Sequence, residues 1–328
     1  MGPASSSITG TAGAPPSFLH RLVATRELTL LALICFLTLA MSLATPFFFT
    51  LANFRAVAIG LAPTAIIVIG MTVLLVAGGF DLSVGAVMAL AGTVCALLMV
   101  GGVPIPAAVL GALLVGGLVG LANGLLVTAL GVNPLVATLG TMSVARGTAL
   151  VLTEGFSIGN LPPAFGYVGA ASWLGLPAVF WIMLVLVLLG DLALRHTRFL
   201  RQTYYVGGNE KAARLSGIPV DGLRIFAFVL TATLAAFAGV LLASRLMSGT
   251  PTAANALELQ VLAAAVIGGA SLRGGEGTVL GAFLGVVFVA LVNNAMTMLA
   301  VSIYWQMIVT GLILVAAVAL DMLARRRA

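Results

Sequence analysis

The sequence predicts an all-α integral membrane protein with about ten transmembrane helices. Of the 328 residues, 61% are hydrophobic and only 7% are charged, and the mean hydropathy is +1.21. A soluble domain carries about 25% charged residues, so 15 basic and 9 acidic side chains could not cover a core of this size. The apolar runs are continuous rather than alternating, which favours helices over a transmembrane barrel. The composition therefore excludes a soluble domain, a disordered chain and a nucleic-acid-binding protein, despite a net charge of +6.

Ten apolar runs account for these helices, since a spanning helix needs about 20 residues. They lie at 28–48, 57–77, 84–101, 105–129, 133–153, 177–194, 225–246, 258–270, 277–299 and 303–323. The run at 258–270 is short for a crossing, so we expect it to be longer than drawn, tilted, or buried within the bundle. The segment 154–176 contains Pro162, Pro163 and several glycines, and is predicted to be an outer loop.

Basic residues cluster in three short segments, and this clustering indicates the orientation. Eleven of the 15 basic residues belong to these segments: Arg21, Arg26, Arg195, Arg198, Arg201, Lys211, Arg214, Arg224, Arg325, Arg326 and Arg327. Cytoplasmic loops carry the excess of basic residues in membrane proteins, so we expect both termini and the central loop in the cytoplasm. The chain then divides into an N-terminal tail at 1–26, a transmembrane domain at 27–323 that contains a loop at 195–224, and a basic tail at 324–328.

Two of the runs carry glycine at every fourth position. The glycines are Gly116, Gly120 and Gly124 in the fourth run and Gly277, Gly281 and Gly285 in the ninth. Such a stripe lets another helix backbone approach closely, so a tightly packed bundle is predicted. The two halves of the chain also echo each other, because Val-Ala-Gly-Gly at 76–79 resembles Val-Ile-Gly-Gly at 266–269. Internal repeats of this kind are typical of transporters.

Polar side chains in or next to the apolar runs are candidates for a translocation path, because such groups are costly in a bilayer and commonly mark function. The candidates are Asp81, Asn123, Thr138, Thr141, Arg146, Asn293 and Asn294. Some of these residues could instead have a structural role in capping a helix or in packing helices together. Asp81 followed by Ser83 is typical of a helix start, Arg146 could pair with a carboxylate, and the asparagines could bond neighbouring helices.

Three function classes remain: an ion-coupled carrier, a channel and an ATP-driven permease. A Walker A loop needs Gly-Lys-Ser/Thr, but the only lysine of the chain, Lys211, is not in such a motif. We therefore expect no ATP hydrolysis by this chain and no catalytic residue. No metal site is expected either, because His20 and His196 form no zinc motif. An ion-coupled carrier stays open, because Asp81 and Glu276 could carry protons.

A short capped helix is predicted inside the central loop, over Asn209–Ser216. Asn209 is a typical N-cap, Gly217 a typical stop, and Pro219 prevents continuation. Small residues in its middle would let the groove of another protein hold it, although a solvated surface helix is the alternative. The residues assigned to this docking are Asn209, Glu210, Lys211, Ala212, Ala213, Arg214, Ser216 and Gly217.

Several motifs, in a fixed order, carry a resemblance to one family. They are Gly70-Met71-Thr72, Gly78 to Gly85, Asn123-Gly124, Ala137 to Met142, Ala145-Arg146-Gly147, Gly207 to Ile218, Ile267-Gly268-Gly269 and Gly274-Gly275-Glu276-Gly277. With them the chain resembles, from about residue 50 to 323, the permease subunit of bacterial ABC sugar importers of the ribose, xylose, arabinose and galactose type. Lys211 departs from the EAA-x3-G pattern of such permeases, which has a glutamate there.

The resemblance implies a fold, a function and partners. The fold would be that of the vitamin B12-type, or type II, importer permease, in a bacterial inner membrane. The chain would translocate a monosaccharide or a related polar solute, delivered by a periplasmic or lipid-anchored sugar-binding protein. A second permease subunit, identical or a close paralogue, would pair with it. Two cytoplasmic ATPase subunits would hold ATP and Mg, so no cofactor is expected in this chain, and they would grip the short helix of the central loop.

Other functions stay open beside that resemblance. An ion-coupled secondary transporter of a small polar solute is the alternative mechanism. A nucleoside, the autoinducer-2 signal or a branched-chain amino acid are alternative cargoes, because nothing in the sequence selects the solute.

Overall fold

The computed structural model of the protein describes residues 26–326. The helices in this part of the chain are α1 (Arg26–Ala44), α2 (Leu51–Val76), α3 (Val84–Val100), α4 (Ile105–Thr128), α5 (Pro134–Thr153), α6 (Gly166–Ala170), α7 (Ala178–His196), α8 (Arg198–Gly208), α9 (Glu210–Leu215), α10 (Val220–Leu246), α11 (Leu257–Ile267), α12 (Val279–Met298) and α13 (Ile303–Arg326). A 3-10 turn (Pro163–Phe165) precedes α6, and an antiparallel hairpin of β1 (Ser172–Trp173) and β2 (Leu176–Pro177) follows it. The predicted all-α class is confirmed.

Ten of the described helices correspond to the ten predicted runs, and seven of these are long and apolar enough to cross a membrane. The three shorter apolar helices are α3, α11 and the described apolar part of α13. Two predicted starts are wrong. α2 begins at Leu51 rather than 57, because Thr50 Oγ1 accepts a hydrogen bond from Asn53 N at 3.3 Å and caps it. α10 begins at Val220 rather than 225, with Pro219 before it.

Regular structure also occurs where the sequence predicts only loops. α8 occupies the first part of the central loop, where Thr197 Oγ1 caps it by accepting a hydrogen bond from Leu200 N at 3.3 Å. The predicted outer loop at 154–176 contains α6 and most of the hairpin. Each of these elements is too short or too polar to show as a continuous apolar run, which explains why the prediction misses them.

α11 is too short to cross a membrane by itself. Its 11 residues extend over about 16 Å, against a hydrocarbon core of about 30 Å. The chain continues as an irregular segment, 268–278, in which Ala270 and Ser271 are fully buried. Gly275 N in this segment donates a hydrogen bond to Val76 O at 2.9 Å. Irregular backbone is tolerated at membrane depth where protein surrounds it, so burial within the bundle, one of the three expectations for this run, is confirmed.

α2 and α10 form the centre of the bundle. α10 packs along α2, α3 and α4, and α2 also packs against α7, α11 and α12. Large side chains of these two helices, such as Ile66, Met71 and Phe228, are fully buried. The helices α1, α5 and α13 lie at the rim, and their outward faces expose apolar side chains such as Phe36 and Val144. Exposed apolar faces of this extent suit a lipid environment.

The glycine stripe of α4 lies against the backbone of α10, as predicted. A Cβ atom at Gly116 would lie 2.8 Å from Ala232 O, and one at Gly120 would lie 2.6 Å from Phe228 O. Gly281 and Gly285 of α12 meet the backbone of α11 and of the residue after it in the same way. The prediction is wrong for Gly277, which lies before the start of α12 with a φ of 145°. Both stripes therefore bring helix backbones into contact, which no larger side chain would permit.

The end of the bundle that holds the central loop is called the loop end. Asp191 Oδ1 there accepts a hydrogen bond from Leu280 N at 3.1 Å. Arg195 binds Asp191 at 2.6 Å and lies 3.8 Å from Glu27. The start of α1, the end of α7 and the start of α12 therefore meet at the loop end, which agrees with six crossings between the start of α1 and the central loop.

The predicted N-terminal tail lies largely outside the described residues, whereas most of the short predicted C-terminal tail is described. Of the predicted tail at 1–26, only Arg26 is described, and α1 begins there. Of the predicted tail at 324–328, the described part continues α13 to Arg326.

Candidate coupling segment and polar cavity

The helix predicted inside the central loop is present as α9. Asn209 Oδ1 accepts a hydrogen bond from Ala212 N at 3.0 Å, which is the N-cap that the sequence predicts. At the other end, Gly217 adopts a φ of 78°, a left-handed conformation that suits glycine and ends the helix. Residues 198–219, which comprise α8, α9 and the turn after it, are called the coupling segment below.

One face of α9 is buried and the other is open. Ala213 packs into a small core with Val206 and Leu223, which fastens α9 to α8 and α10. On the open face Lys211 is exposed, and Leu215 is 90% exposed. Beside it runs a groove lined by Tyr204, Tyr205, Gly208, Asn209, Ala212, Ala213, Ser216 and Ile218. An exposed leucine next to an apolar groove is typical of a surface that another protein covers.

Two ion pairs also hold α9 to α10. In one of them α9 supplies the arginine, and in the other it supplies the carboxylate. Arg214 Nη2 lies 2.6 Å from Asp221 Oδ1, and Arg224 Nη2 lies 2.8 Å from Glu210 Oε2. Partial burial raises the pKa of Glu210, but the charge of Arg224 and the hydrogen bonds from both arginines outweigh burial and hold that pKa below its ordinary value. Glu210 is therefore ionised at neutral pH, and its pairing weakens only as the pH falls through the lowered pKa.

The coupling segment touches the end of α2, just before the first echoing Gly-Gly motif, and the irregular segment that follows the second. Gly207 lies so close to the end of α2 that a Cβ atom would fall on Val76 O, and it would also meet Gly275 N. The hydroxyl of Tyr204 donates a hydrogen bond to Gly277 O at 2.7 Å. A displacement of the coupling segment would therefore act on the end of α2 and on the chain just before α12.

A cavity of about 230 Å³, with several polar side chains on a largely apolar wall, lies between α2, α11 and α12. It is lined by Ala56, Val57, Gly60, Leu61, Thr64, Gln260, Val286, Val289, Ala290, Asn293, Asn294 and Thr297. The predicted path residues Asn293 and Asn294 both lie in this lining. The lining residues are uncharged, and amide and hydroxyl groups on an apolar wall suit a neutral, hydroxylated solute.

The two asparagines differ in what their amides are free to bind. Asn294 Nδ2 donates to Asn53 Oδ1 at 2.7 Å, and Asn53 Nδ2 donates to Asn294 Oδ1 at 3.1 Å. Within the described part of the chain, the side chains of Asn293, Thr64 and Gln260 have no hydrogen-bond partner. Thr64 and Gln260 are not among the predicted path residues. Their only sequence signal is a single polar residue in an apolar run, and that pattern does not say which way the residue faces.

Asp81 and Asn123, also predicted for the path, lie in a fully buried cluster with Ser83 that does not line the cavity. Asp81 Oδ1 accepts hydrogen bonds from Ser83 N at 2.7 Å and from Ser83 Oγ at 2.6 Å. Asn123 Nδ2 donates to Asp81 Oδ2 at 3.2 Å and to Ser83 Oγ at 3.0 Å. The cluster orders the turn before α3 and ties it to α4. α3 starts there, as the helix-start alternative predicts, but its N-cap residue, Ser83, makes no side-chain cap hydrogen bond.

The remaining predicted path residues, all on α5, also lie outside the lining of the cavity. Thr138 and Thr141 donate hydrogen bonds to backbone carbonyls of their own helix, at 2.8 Å and 3.1 Å. Arg146 Nη1 donates to two carbonyls of the loop between α10 and α11, at 2.7 Å each. The structure thus brings Asn293 and Asn294 together and places the other five candidates in contacts within or between helices and loops.

Comparison with known proteins shows similarity along most of the chain. A family described as branched-chain amino acid transport system / permease component matches residues 53–318. The L-arabinose transport system permease protein AraH of Escherichia coli (strain K12) is 37% identical over 292 residues, which cover 89% of this chain and 89% of that protein. The ribose import permease protein RbsC of Bacillus subtilis (strain 168) is 39% identical over 288 residues, which cover 87% of this chain and 89% of that protein. No solved structure matches.

Proposed function

Because this chain belongs to the branched-chain amino acid transport system / permease component family, we propose that it is the transmembrane permease subunit of an ATP-driven importer for a monosaccharide or a related small polar solute. The relatives that support the solute class are named as arabinose and ribose permeases. The structural observation that carries the proposal is α9, a capped helix with an open face that is fastened to α10 by two ion pairs.

Two cytoplasmic ATPase subunits supply the energy in this proposal, and each permease presents α9 to one of them. ATP and Mg are held by those subunits and not by this chain. Lys211 occupies the position of the glutamate in the pattern of such permeases, and the neighbouring Glu210 is already engaged with Arg214 and Arg224. Docking therefore rests on the exposed Leu215 and the groove beside it rather than on a salt bridge from that position.

The cavity between α2, α11 and α12 forms part of the solute path in this proposal, with Asn293 as its main amide. A second permease subunit, identical or a close paralogue, completes the path, and a sugar-binding protein delivers the solute from outside. The chain is a multi-pass protein of the bacterial inner membrane with both termini in the cytoplasm. We assign Asp81, Asn123 and Arg146 to helix and loop packing, in view of the bonds that they make.

An ion-coupled carrier needs a group in the path that binds the coupling ion, commonly a carboxylate. The described residues that line the cavity include no acidic side chain. The cavity therefore favours an ATP-driven permease over an ion-coupled carrier.

Reconstitution tests the proposed function. The chain alone and the complete transporter, with its ATPase and binding-protein partners, are placed in separate proteoliposomes, and uptake of labelled ribose, arabinose and leucine is measured. We expect uptake of a sugar only by the complete transporter and only with ATP. Uptake by the chain alone, driven by a proton or sodium gradient, would identify an ion-coupled carrier, and ATP-dependent uptake of leucine alone would overturn the sugar assignment.

Substitution of the two cavity asparagines should separate transport from stability. Asn293→Leu should lower sugar uptake roughly tenfold at unchanged stability, because its amide is available to the solute. Asn294→Leu should lower the free energy of unfolding by about 1–3 kcal/mol, because the buried Asn53 Oδ1 loses its donor while Asn53 Nδ2 keeps only its bond to Phe48 O. Uptake in proteoliposomes and thermal unfolding in detergent provide the two measurements. Similar losses of stability in both variants would contradict this division of roles.

A further inference from the structure

We propose that Arg224 is a positioning residue that connects α9 to the end of α2 and so passes the displacement of α9 to the transmembrane core. The inference rests on the proposed function, in which a partner ATPase moves α9. No motif of the sequence indicates this role, because Arg224 is one of several arginines in the basic central loop.

Arg224 connects its own helix to two other elements. It lies on α10, and its side chain is only 20% exposed. Its Nη2 atom is 2.8 Å from Glu210 Oε2 on α9, and its Nε atom donates a hydrogen bond to Ala77 O at 3.3 Å. A guanidinium group presents its donors in a rigid planar fork, so a shift of Glu210 that turns this plane also moves the donor that binds Ala77.

The carbonyl that Arg224 binds lies where α2 ends and the chain turns towards α3. Ala77 is the C-cap of α2, and the last carbonyls of a helix lack partners within that helix. A positive side chain there is also favoured by the helix dipole. Immediately beyond Ala77 the chain turns towards Asp81, whose carboxylate orders the turn before α3. The contact therefore acts where α2 ends and α3 is positioned.

The second ion pair of α9 provides a matched comparison. Arg214 and Asp221 join α9 to the same turn of α10, but their side chains are 47% and 49% exposed and neither bonds to α2. Loss of this pair should loosen α9 slightly, because exposed ion pairs contribute little. Loss of Arg224 should instead remove the direct side-chain link from α9 to the end of α2, while Ala213 and the Arg214 pair still hold α9 on α10 and Gly207 still holds α8 against α2.

The test uses the complete transporter in proteoliposomes and measures sugar uptake and ATP hydrolysis together. For Arg224→Gln we expect uptake to fall roughly tenfold while hydrolysis changes less than about twofold, so that more ATP is consumed per sugar. Asp221→Asn, the matched control, should leave that ratio unchanged. Arg224→Lys should be intermediate, because one ammonium group can replace only part of the fork.

A charge exchange tests whether the ion pair between positions 210 and 224 is by itself sufficient to couple ATP hydrolysis to sugar uptake. Glu210→Arg with Arg224→Glu restores the pair between these two positions but places a carboxylate, which cannot donate, beside Ala77 O. The exchange also removes the pair of Glu210 with Arg214, whose side chains are 40% and 47% exposed and which therefore contributes little. We expect uptake per ATP to stay low in this double variant. Full recovery there, or a normal ratio in Arg224→Gln, would overturn the inference. If Arg224→Gln does not assemble, Arg224→Lys decides: a lowered ratio of uptake to hydrolysis supports the inference and an unchanged ratio overturns it. A wild-type transporter without ATP-dependent uptake would instead refute the proposed function.

Discussion

Replacement of Gly207 by alanine is expected to abolish sugar uptake, whereas the same change at the adjacent Gly208, which lines the proposed docking groove, should lower uptake much less. A Cβ atom at Gly207 would fall on Val76 O and would meet Gly275 N. These are backbone atoms, so no change of side-chain rotamer relieves the clash, and α8 must separate from the end of α2 and from the irregular segment before α12. Overpacking of this kind costs about 1–3 kcal/mol or more.

The control at Gly208 isolates the clash from other effects of the substitution. Both glycines end α8, so alanine changes helix propensity in the same direction at each. At Gly208 the added Cβ would meet no heavy atom within 4 Å apart from its chain neighbours and the backbone of its own helix. The measurement is ATP-dependent uptake by the complete transporter, together with the amount of chain that inserts and binds its ATPase. Equal uptake by the two variants would show that this junction does not transmit the movement of the coupling segment.

Replacement of Gly120 by alanine is expected to lower the free energy of unfolding by about 1–3 kcal/mol, the usual cost of overpacking a tight contact. The added Cβ would lie 2.6 Å from Phe228 O and 2.7 Å from Val229 Cα. The contact between α4 and α10 is the most extensive in the bundle, so the two helices cannot move apart there without loosening the centre of the protein.

Gly117, less than one turn earlier on the same helix, is the control for Gly120. A Cβ there would meet only Thr233 Oγ1, at 3.6 Å, which is an ordinary contact. Alanine at this position should stabilise α4 by about 0.5–1 kcal/mol through its higher helix propensity. Thermal unfolding in detergent should therefore shift to lower temperature in Gly120→Ala and slightly upward in Gly117→Ala. Shifts of equal sign and size would contradict the backbone contact.

Features set by neighbouring residues could be predicted from the sequence. The cap at Asn209, the stop at Gly217 and the helix start after Asp81 each depend on atoms within a few residues. The stripe around Gly120 could also be predicted, because its spacing matches the helical repeat. The ten apolar runs predict the transmembrane architecture well, because the length and composition of each run are local properties of the sequence.

Features that depend on distant contacts could not be predicted in this way. Asn293 and Asn294 are adjacent and chemically identical, and only the position of Asn53, 241 residues from Asn294, distinguishes their roles. The close approach of Gly207 to Val76 and Gly275 likewise joins three separate parts of the chain. The early start of α2 was missed for a different reason, because its first turns carry polar residues that interrupt the apolar run.

The exposure of Leu215 has a consequence for how a cell must supply this protein. A copy that finds no ATPase presents this leucine to water on a polar surface, where it favours wrong associations. Unassembled copies are then prone to aggregation and to degradation by proteases that act on subunits without their partners. In the proposed assembly, in which the ATPase covers Leu215, production of the permease and its ATPase in matched amounts, for example from one transcript, would keep this side chain from water.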